Sequence, residues 1–309
     1  MIIYYLFAIV IIFILYFILK RYPSYKTIRY TDGGHYFQRF LHPILTNKYK
    51  LKQTTDKDVD ILIFSVFGNQ HEHINARKKI LICGEPTTIS LNLANKAHII
   101  IDCKLIHVPK ISQTPVIYIP FYVSSFGERY NHKPYHLIKK QDKITKTKFC
   151  AFMYSHDSPE RVEFFNILNK LKRVDAIGKS CNNVKTNFDR HINTDKQTYN
   201  DIAVDKYKPY KFVICFENDH KPGYITEKII SAMLANCIPI YWGASEITEH
   251  FNPKSFIHVR DFKSFKDCAN YVLQVDKDDT LYENITTQSW FKSNILPPYF
   301  DQNYIFKYL

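Results

Sequence analysis

Short, almost unbroken runs of aliphatic residues recur along the chain, each closed by glycine or a turn residue and each followed by a stretch with helical spacing. Examples are DILIFSVFG from Asp60, KKILICGE from Lys78, HIIIDC from His98, KFVICFE from Lys211 and IPIYWG from Ile238. A strand with one face in water alternates apolar and polar residues. One that does not alternate is covered on both faces, as in a parallel sheet held between layers of helix. The rhythm therefore predicts an α/β fold built of two doubly wound halves, with a binding site outside the carboxyl ends of the strands.

The chain has 309 residues, 46% of them hydrophobic, enough to build two cores without staples. Eight glycines, 14 prolines and no internal repeat exclude collagenous, low-complexity and solenoid architectures. The expected division is an anchor over 1–21, a first Rossmann-like domain over 22–147 and a second over 148–309. The anchor reading rests on Ile2 to Leu19, an uncharged stretch whose helix would rise about 27 Å, close to the thickness of a hydrocarbon core. It lacks the basic start and small-residue cleavage site of a signal peptide. Lys20 and Arg21 behind the span favour a cytosolic bulk, whereas the sequon Asn284-Ile285-Thr286 favours a lumenal one, and the two orientations stay open.

Lys and Arg outnumber Asp and Glu by 42 to 29, a net +13 that suits an anionic partner. The lysines are dispersed, and no zinc finger, basic zipper or RNP-type pattern accompanies them, so no nucleic-acid partner is expected. The seven cysteines never form CxxC and sit mostly in apolar runs, where they read as small buried hydrophobes. No GxGxxG, Walker loop or HExxH occurs. His71-Glu72-His73 offers two imidazoles on one side of a strand without an evident third ligand, and Asp58-Val59-Asp60 reads as a turn that starts a strand, so no metal is expected.

The densest signal is FENDHKPGYITEKIISAMLANCIPIYWGA from Phe216 to Ala244. A strand delivers Glu217 and Asn218 to a polar loop, Pro222-Gly223 turns it, and a helix starts near Thr226 with Glu227 and Lys228 in its first turn. Ile229, Ile230, Met233 and Leu234 repeat at helical spacing and must face the sheet. The amino end of the helix is then expected to stay open, and its free amides, its dipole and Lys228 would cradle a diphosphate.

This block resembles the signature of the α1,3/4-fucosyltransferases, glycosyltransferase family 10, which transfer L-fucose from GDP-fucose to GlcNAc-containing glycans. The matching residues run in order: FEN, GYITEK, the helix, IPIYWGA, then FNPKSFIHVRDF from Phe251. Weaker agreement continues upstream through VDAIGKSCNN from Val174, SHDSPERVEFF from Ser155, the GE of ICGE and the DILIFSVFG strand, so coverage is about 26 to 300. The resemblance implies a GT-B fold of two Rossmann-like domains facing a cleft, preceded by one transmembrane helix, in a single-pass, Golgi-type membrane enzyme that needs no metal or cofactor. It also implies that Asn218, Tyr224, Glu227 and Lys228 bind GDP-fucose, with Arg161 at the diphosphate and Glu85 as general base. The acceptor would be a GlcNAc-containing glycan or glycoprotein, fucosylated at O3. Two readings remain beside it: a GT-B transferase with another nucleotide sugar, and an anchored glycan- or nucleotide-binding protein without turnover.

Overall fold

In the computed structural model, which describes residues 25–105, 113–130, 145–185 and 199–308, the unbroken apolar runs form strands. Among the described residues the strands are β1 Lys26–Tyr30, β2 Leu51–Gln53, β3 Asp58–Phe64, β4 Asn75–Cys83, β5 Ile99–Asp102, β6 Val116–Tyr118, β7 Lys148–Phe152, β8 Val174–Ala176, β9 Tyr210–Phe216, β10 Ile238–Trp242 and β11 Ile257–His258. They form a six-stranded sheet in the order β2-β1-β3-β4-β5-β6 and a five-stranded sheet in the order β11-β10-β9-β7-β8. The pairings of β1 with β2 and β3, and of β3 with β4, are parallel, as are those of β7 with β8 and β9, and of β10 with β9 and β11.

Two compact units result. One holds the described residues of 1–82, 91–100 and 112–115; the other holds those of 83–90, 101–111 and 116–309. Cys83, the residues of β5 from Ile101 and all of β6 thus belong with the second sheet's unit. No helix among the described residues is long and apolar enough to cross a membrane, and the span 2–19 read as an anchor lies outside them.

In the first unit Ile28, Leu62 and Phe64 of the strands are fully buried with Phe40 and Leu41 of helix Gln38–Thr46. Asp58, Val59 and Asp60 are the first three residues of β3 itself and not a turn ahead of it, and Asp60 accepts hydrogen bonds from Thr27 N at 2.9 Å and Thr27 Oγ1 at 3.1 Å. His71 does not lie on a strand: Gln70–His73 is a 3-10 turn, and His71 Nδ1 is 2.8 Å from Asp32 Oδ2. The turn forms because the Asp32 carboxylate gathers the N–H groups of Gln70 and His71, at 3.0 and 2.7 Å.

In the second unit, helices Pro159–Leu171 and Phe265–Lys277 cover the sheet with Phe164, Phe165, Leu168, Cys268, Val272 and Val275. Phe164 packs on Phe216 at 5.0 Å between centroids, and complete burial of one such ring is worth about 1.5–3 kcal/mol. Strand β11 is only two residues long, because the chain turns into a 3-10 segment at Val259–Asp261. The chain runs from β7 to β8 on one side and then to β9 on the other, so the order reverses between β7 and β9. The carboxyl ends of those two strands flank the place where open α/β sheets bind ligands.

Candidate active site

Helix Pro159–Leu171 follows β7, with Ser158 extended at its N-cap and Pro159 supplying the preset φ of the first turn. This entry directs Arg161 across to the end of β9. Its side chain is buried; Nε and Nη2 donate to the Phe216 carbonyl at 3.2 and 2.9 Å, Nη2 donates to Asn218 Oδ1, and the guanidinium lies 4.1 Å over the Tyr154 ring. Arg161 and Asn218 are therefore brought together. The tie is made to the Asn218 side chain directly and to the strand backbone at Phe216.

Strand β9 gains one residue of pairing beyond its end, since Glu217 N donates to the Trp242 carbonyl at 2.8 Å. That bond turns the Glu217 side chain inward, where it is wholly buried. Its Oε1 accepts from Thr226 N at 2.8 Å, its Oε2 from Thr226 Oγ1 at 2.6 Å, and Lys228 Nζ stands 3.1 Å from Oε2. Lys228 Nζ also donates to Thr226 Oγ1 at 2.7 Å and lies 3.5 Å from Glu227 Oε1. The amino end of helix Glu227–Leu234 is thus not the open cradle expected from the sequence. A carboxylate from the adjacent strand sits on its N-cap residue, and Lys228 is paired with two acidic groups. The helix dipole favours this arrangement, and the buried carboxylate has its donors. A small cavity lined by Tyr154, Cys215, Glu227, Lys228 and Ser231 adjoins the pair.

The loop before the helix is equally tied. Gly223 takes φ +75°, and a Cβ there would stand 2.9 Å from Leu105 N. The neighbouring carbonyls accept from Leu105 N (Pro222 O, 2.9 Å), Tyr118 Oη (Gly223 O, 2.9 Å) and Tyr122 N (Ile225 O, 3.1 Å). Tyr224 is buried, and desolvation holds its phenol protonated far above its ordinary range.

Glu85 follows β4 and belongs to the second unit, as do the other candidate residues. It is half-buried, and desolvation raises its carboxyl pKa; Lys228 opposes the rise, Glu227 adds to it, and Lys104 opposes it. Glu85, Glu227 and Lys228 are accordingly electrostatic neighbours. Such a carboxyl retains its proton to higher pH than a solvated one and holds it near groups of both signs. No set of three or more His, Cys, Asp or Glu placed to hold a metal occurs among the described residues.

Local spacing does not single out three participants: Glu217, at the start of a polar loop, Thr226, at the helix start, and Lys104, whose Nζ donates to the Glu85 carbonyl at 2.9 Å. The signal for Glu217 was its position directly after an apolar strand that a second strand must flank.

The family model for the C-terminal part of glycosyltransferase family 10 (fucosyltransferase) matches residues 143–295. A provisionally named fucosyltransferase of Acanthamoeba polyphaga mimivirus is 42% identical over 212 residues, covering 68% of this chain and 33% of that protein. The alpha-(1,3)-fucosyltransferase of Helicobacter pylori is 36% identical over 168 residues, covering 52% and 32%. The chain spans about one third of the length of these relatives. A crystal structure of an alpha1,3-fucosyltransferase with GDP-fucose shares the fold, with a TM-score of 0.69 and 21% identity over 93% of this chain and 90% of that one. Through residues 143–295 the chain belongs to glycosyltransferase family 10, the fucosyltransferases.

Proposed function

We propose that the chain is an inverting glycosyltransferase that moves L-fucose from GDP-fucose to O3 of GlcNAc in a glycan or glycoprotein acceptor. The observation that carries the reading is the placing of a half-buried carboxyl of raised proton affinity, Glu85, beside the Glu227–Lys228 pair, in the unit where Arg161 grips the end of β9. The fucosyltransferase names of the relatives, and the GDP-fucose named with the structural counterpart, support GDP-fucose as the donor.

GDP-β-L-fucose giving an α-linked product requires attack from the face opposite the departing GDP. One base is then needed. Glu85 takes the proton of the attacking hydroxyl, and its raised pKa brings its basicity toward working pH. Arg161 and Lys228 meet the charge that develops on the leaving diphosphate. Lys228 is already oriented by Glu217 and Thr226, so less side-chain freedom is lost on binding than for a free lysine. Asn218 and Tyr224, held by their neighbours, fix the donor's pose, and Glu227 contacts its ribose or fucose. In this reading the stretch 2–19 anchors the enzyme in a Golgi-type membrane.

The test is an assay of the purified chain with labelled GDP-fucose and a series of other nucleotide sugars, against a panel of GlcNAc-containing acceptors, with and without EDTA. Transfer from GDP-fucose alone, giving an α1,3 product by NMR and unaffected by EDTA, is expected. Preference for another donor would replace the substrate assignment; tight GDP binding without transfer to any acceptor would reduce the chain to a binding protein.

A further inference from the structure

Lys104 lies two residues beyond Asp102, the last residue of β5, and is 1% exposed. A buried ammonium needs partners, and the structure supplies them on one side. Nζ donates to Asp102 Oδ1 at 2.6 Å, to the backbone carbonyl of Glu85 at 2.9 Å and to Cys83 Sγ at 3.5 Å. The thiols of Cys83 and Cys103 converge on the same Glu85 carbonyl, at 3.5 and 3.8 Å. The next carbonyl, that of Pro86, accepts from Lys221 Nζ. Two ammonium groups therefore hold two successive carbonyls of the turn that carries the Glu85 carboxyl.

Stability alone is a weak reason for such an arrangement, since a buried ion pair can often be replaced by apolar residues of similar volume without loss. What the pair provides is position. Asp102 is wholly buried and accepts from both the backbone N of Lys104, at 3.2 Å, and its Nζ, which fixes where the ammonium points.

We infer that Lys104, oriented by Asp102, is a positioning residue for the base: it pins the Glu85–Pro86 turn and thereby sets the carboxyl against the reacting hydroxyl. The inference rests on the reading of Glu85 as general base. The charged groups around that carboxyl are Lys228 and Glu227 from helix Glu227–Leu234 and Lys104 from the end of β5. Removing the Lys104 charge takes away one of the cations that favour ionised Glu85, so the acid limb of the pH–rate profile moves to higher pH. The charge shows in the position of the limb; the positioning shows as a loss of kcat on the plateau above it, which a purely structural lysine would not cause.

The experiment compares the full chain with Lys104→Met, Lys104→Arg and Glu85→Gln, recording kcat, KM for GDP-fucose, the pH–rate profile, GDP affinity by calorimetry and thermal unfolding. Lys104→Met is expected to bind GDP within twofold of wild type, lose roughly 10- to 100-fold in kcat and shift its acid limb upward, while Lys104→Arg keeps the limb in place. Should Lys104→Met not fold, Lys104→Gln, which offers an N–H to the carbonyl without the charge, is expected to move the limb upward while keeping more of the plateau kcat. A folded Lys104→Met or Lys104→Gln with wild-type kcat and an unmoved limb, alongside an inactive Glu85→Gln, overturns the role of Lys104 alone. Full activity in Glu85→Gln, or no transfer by the wild-type chain, overturns the base assignment and this inference with it.

Discussion

Lys228 Nζ lies 3.1 Å from Oε2 of Glu217, a carboxylate with no solvent exposure that also takes the N–H and hydroxyl of Thr226. The pair joins the end of β9 to the start of helix Glu227–Leu234, so one buried negative charge sets both the helix entry and the pose of the lysine. Breaking such a pair from one side strands the other partner. Glu217→Gln is expected to lose roughly 2 to 4 kcal/mol of unfolding free energy in urea titration and to weaken GDP binding, because Lys228 is no longer held. Unchanged stability would show that the pair is not coupled to the fold.

Arg161 reaches the Phe216 carbonyl through both Nε and Nη2 and Asn218 through Nη2, and only a planar fork can do this. Arg161→Lys keeps the charge and loses the fork. The variant is expected to remain folded, to lose affinity for GDP by at least roughly tenfold and to lose transfer in proportion, as read by calorimetry and the fucose assay. GDP affinity equal to wild type would take Arg161 out of donor binding.

Burial raises the Glu85 pKa, with Lys228 and Lys104 opposing and Glu227 assisting. Above the raised value the carboxyl is ionised and competent as a base; transfer therefore falls as pH drops through it. The stability sign is opposite. The folded chain binds the Glu85 proton more tightly than the unfolded one, so the contribution is present at low pH and is lost as pH rises through the folded pKa. Glu85→Gln should thus be inactive yet more stable than wild type at neutral pH, with the difference vanishing in acid. Equal melting temperatures at pH 7 would argue against a desolvated carboxylate.

The strands β3, β4, β9 and β10 were legible because a strand covered on both faces leaves an unbroken apolar run. Strand β6 and helix Phe121–Tyr130 were not, since VIY is three residues long between Pro115 and Pro120 and the helix has little amphipathic contrast. The site divides in the same way. Glu227, Lys228, Tyr224 and Asn218 lie in one contiguous motif, so local spacing brought them forward. Glu217 and Lys104 acquire their roles from distant chain: Trp242 takes the N–H that turns Glu217 inward, and the Glu85 carbonyl meets a lysine that in sequence looks solvated. Apart from its place just after an apolar run, a charged residue buried by a neighbouring strand carries no local mark of that burial.

His250 closes a second network behind the site. Tyr122 Oη lies 2.9 Å from its Nδ1, while Tyr122 N donates to the Ile225 carbonyl just ahead of the helix that carries Lys228. Desolvation lowers the His250 pKa from 6.5 to about 4; Glu246 resists this and Lys292 adds to it. The imidazole is therefore neutral in the fold at neutral pH and must gain a proton on unfolding below its ordinary pKa. Its contribution is fully present above pH 6.5 and is lost as pH falls toward 4, a span equivalent to about 3 kcal/mol. His250→Asn removes the titrating group together with the Tyr122 contact, so the variant should be less stable than wild type at pH 7 and lose less between pH 6.5 and 4. Unfolding free energies measured in urea across that range test it: parallel curves for the two proteins would place the acid sensitivity in another group.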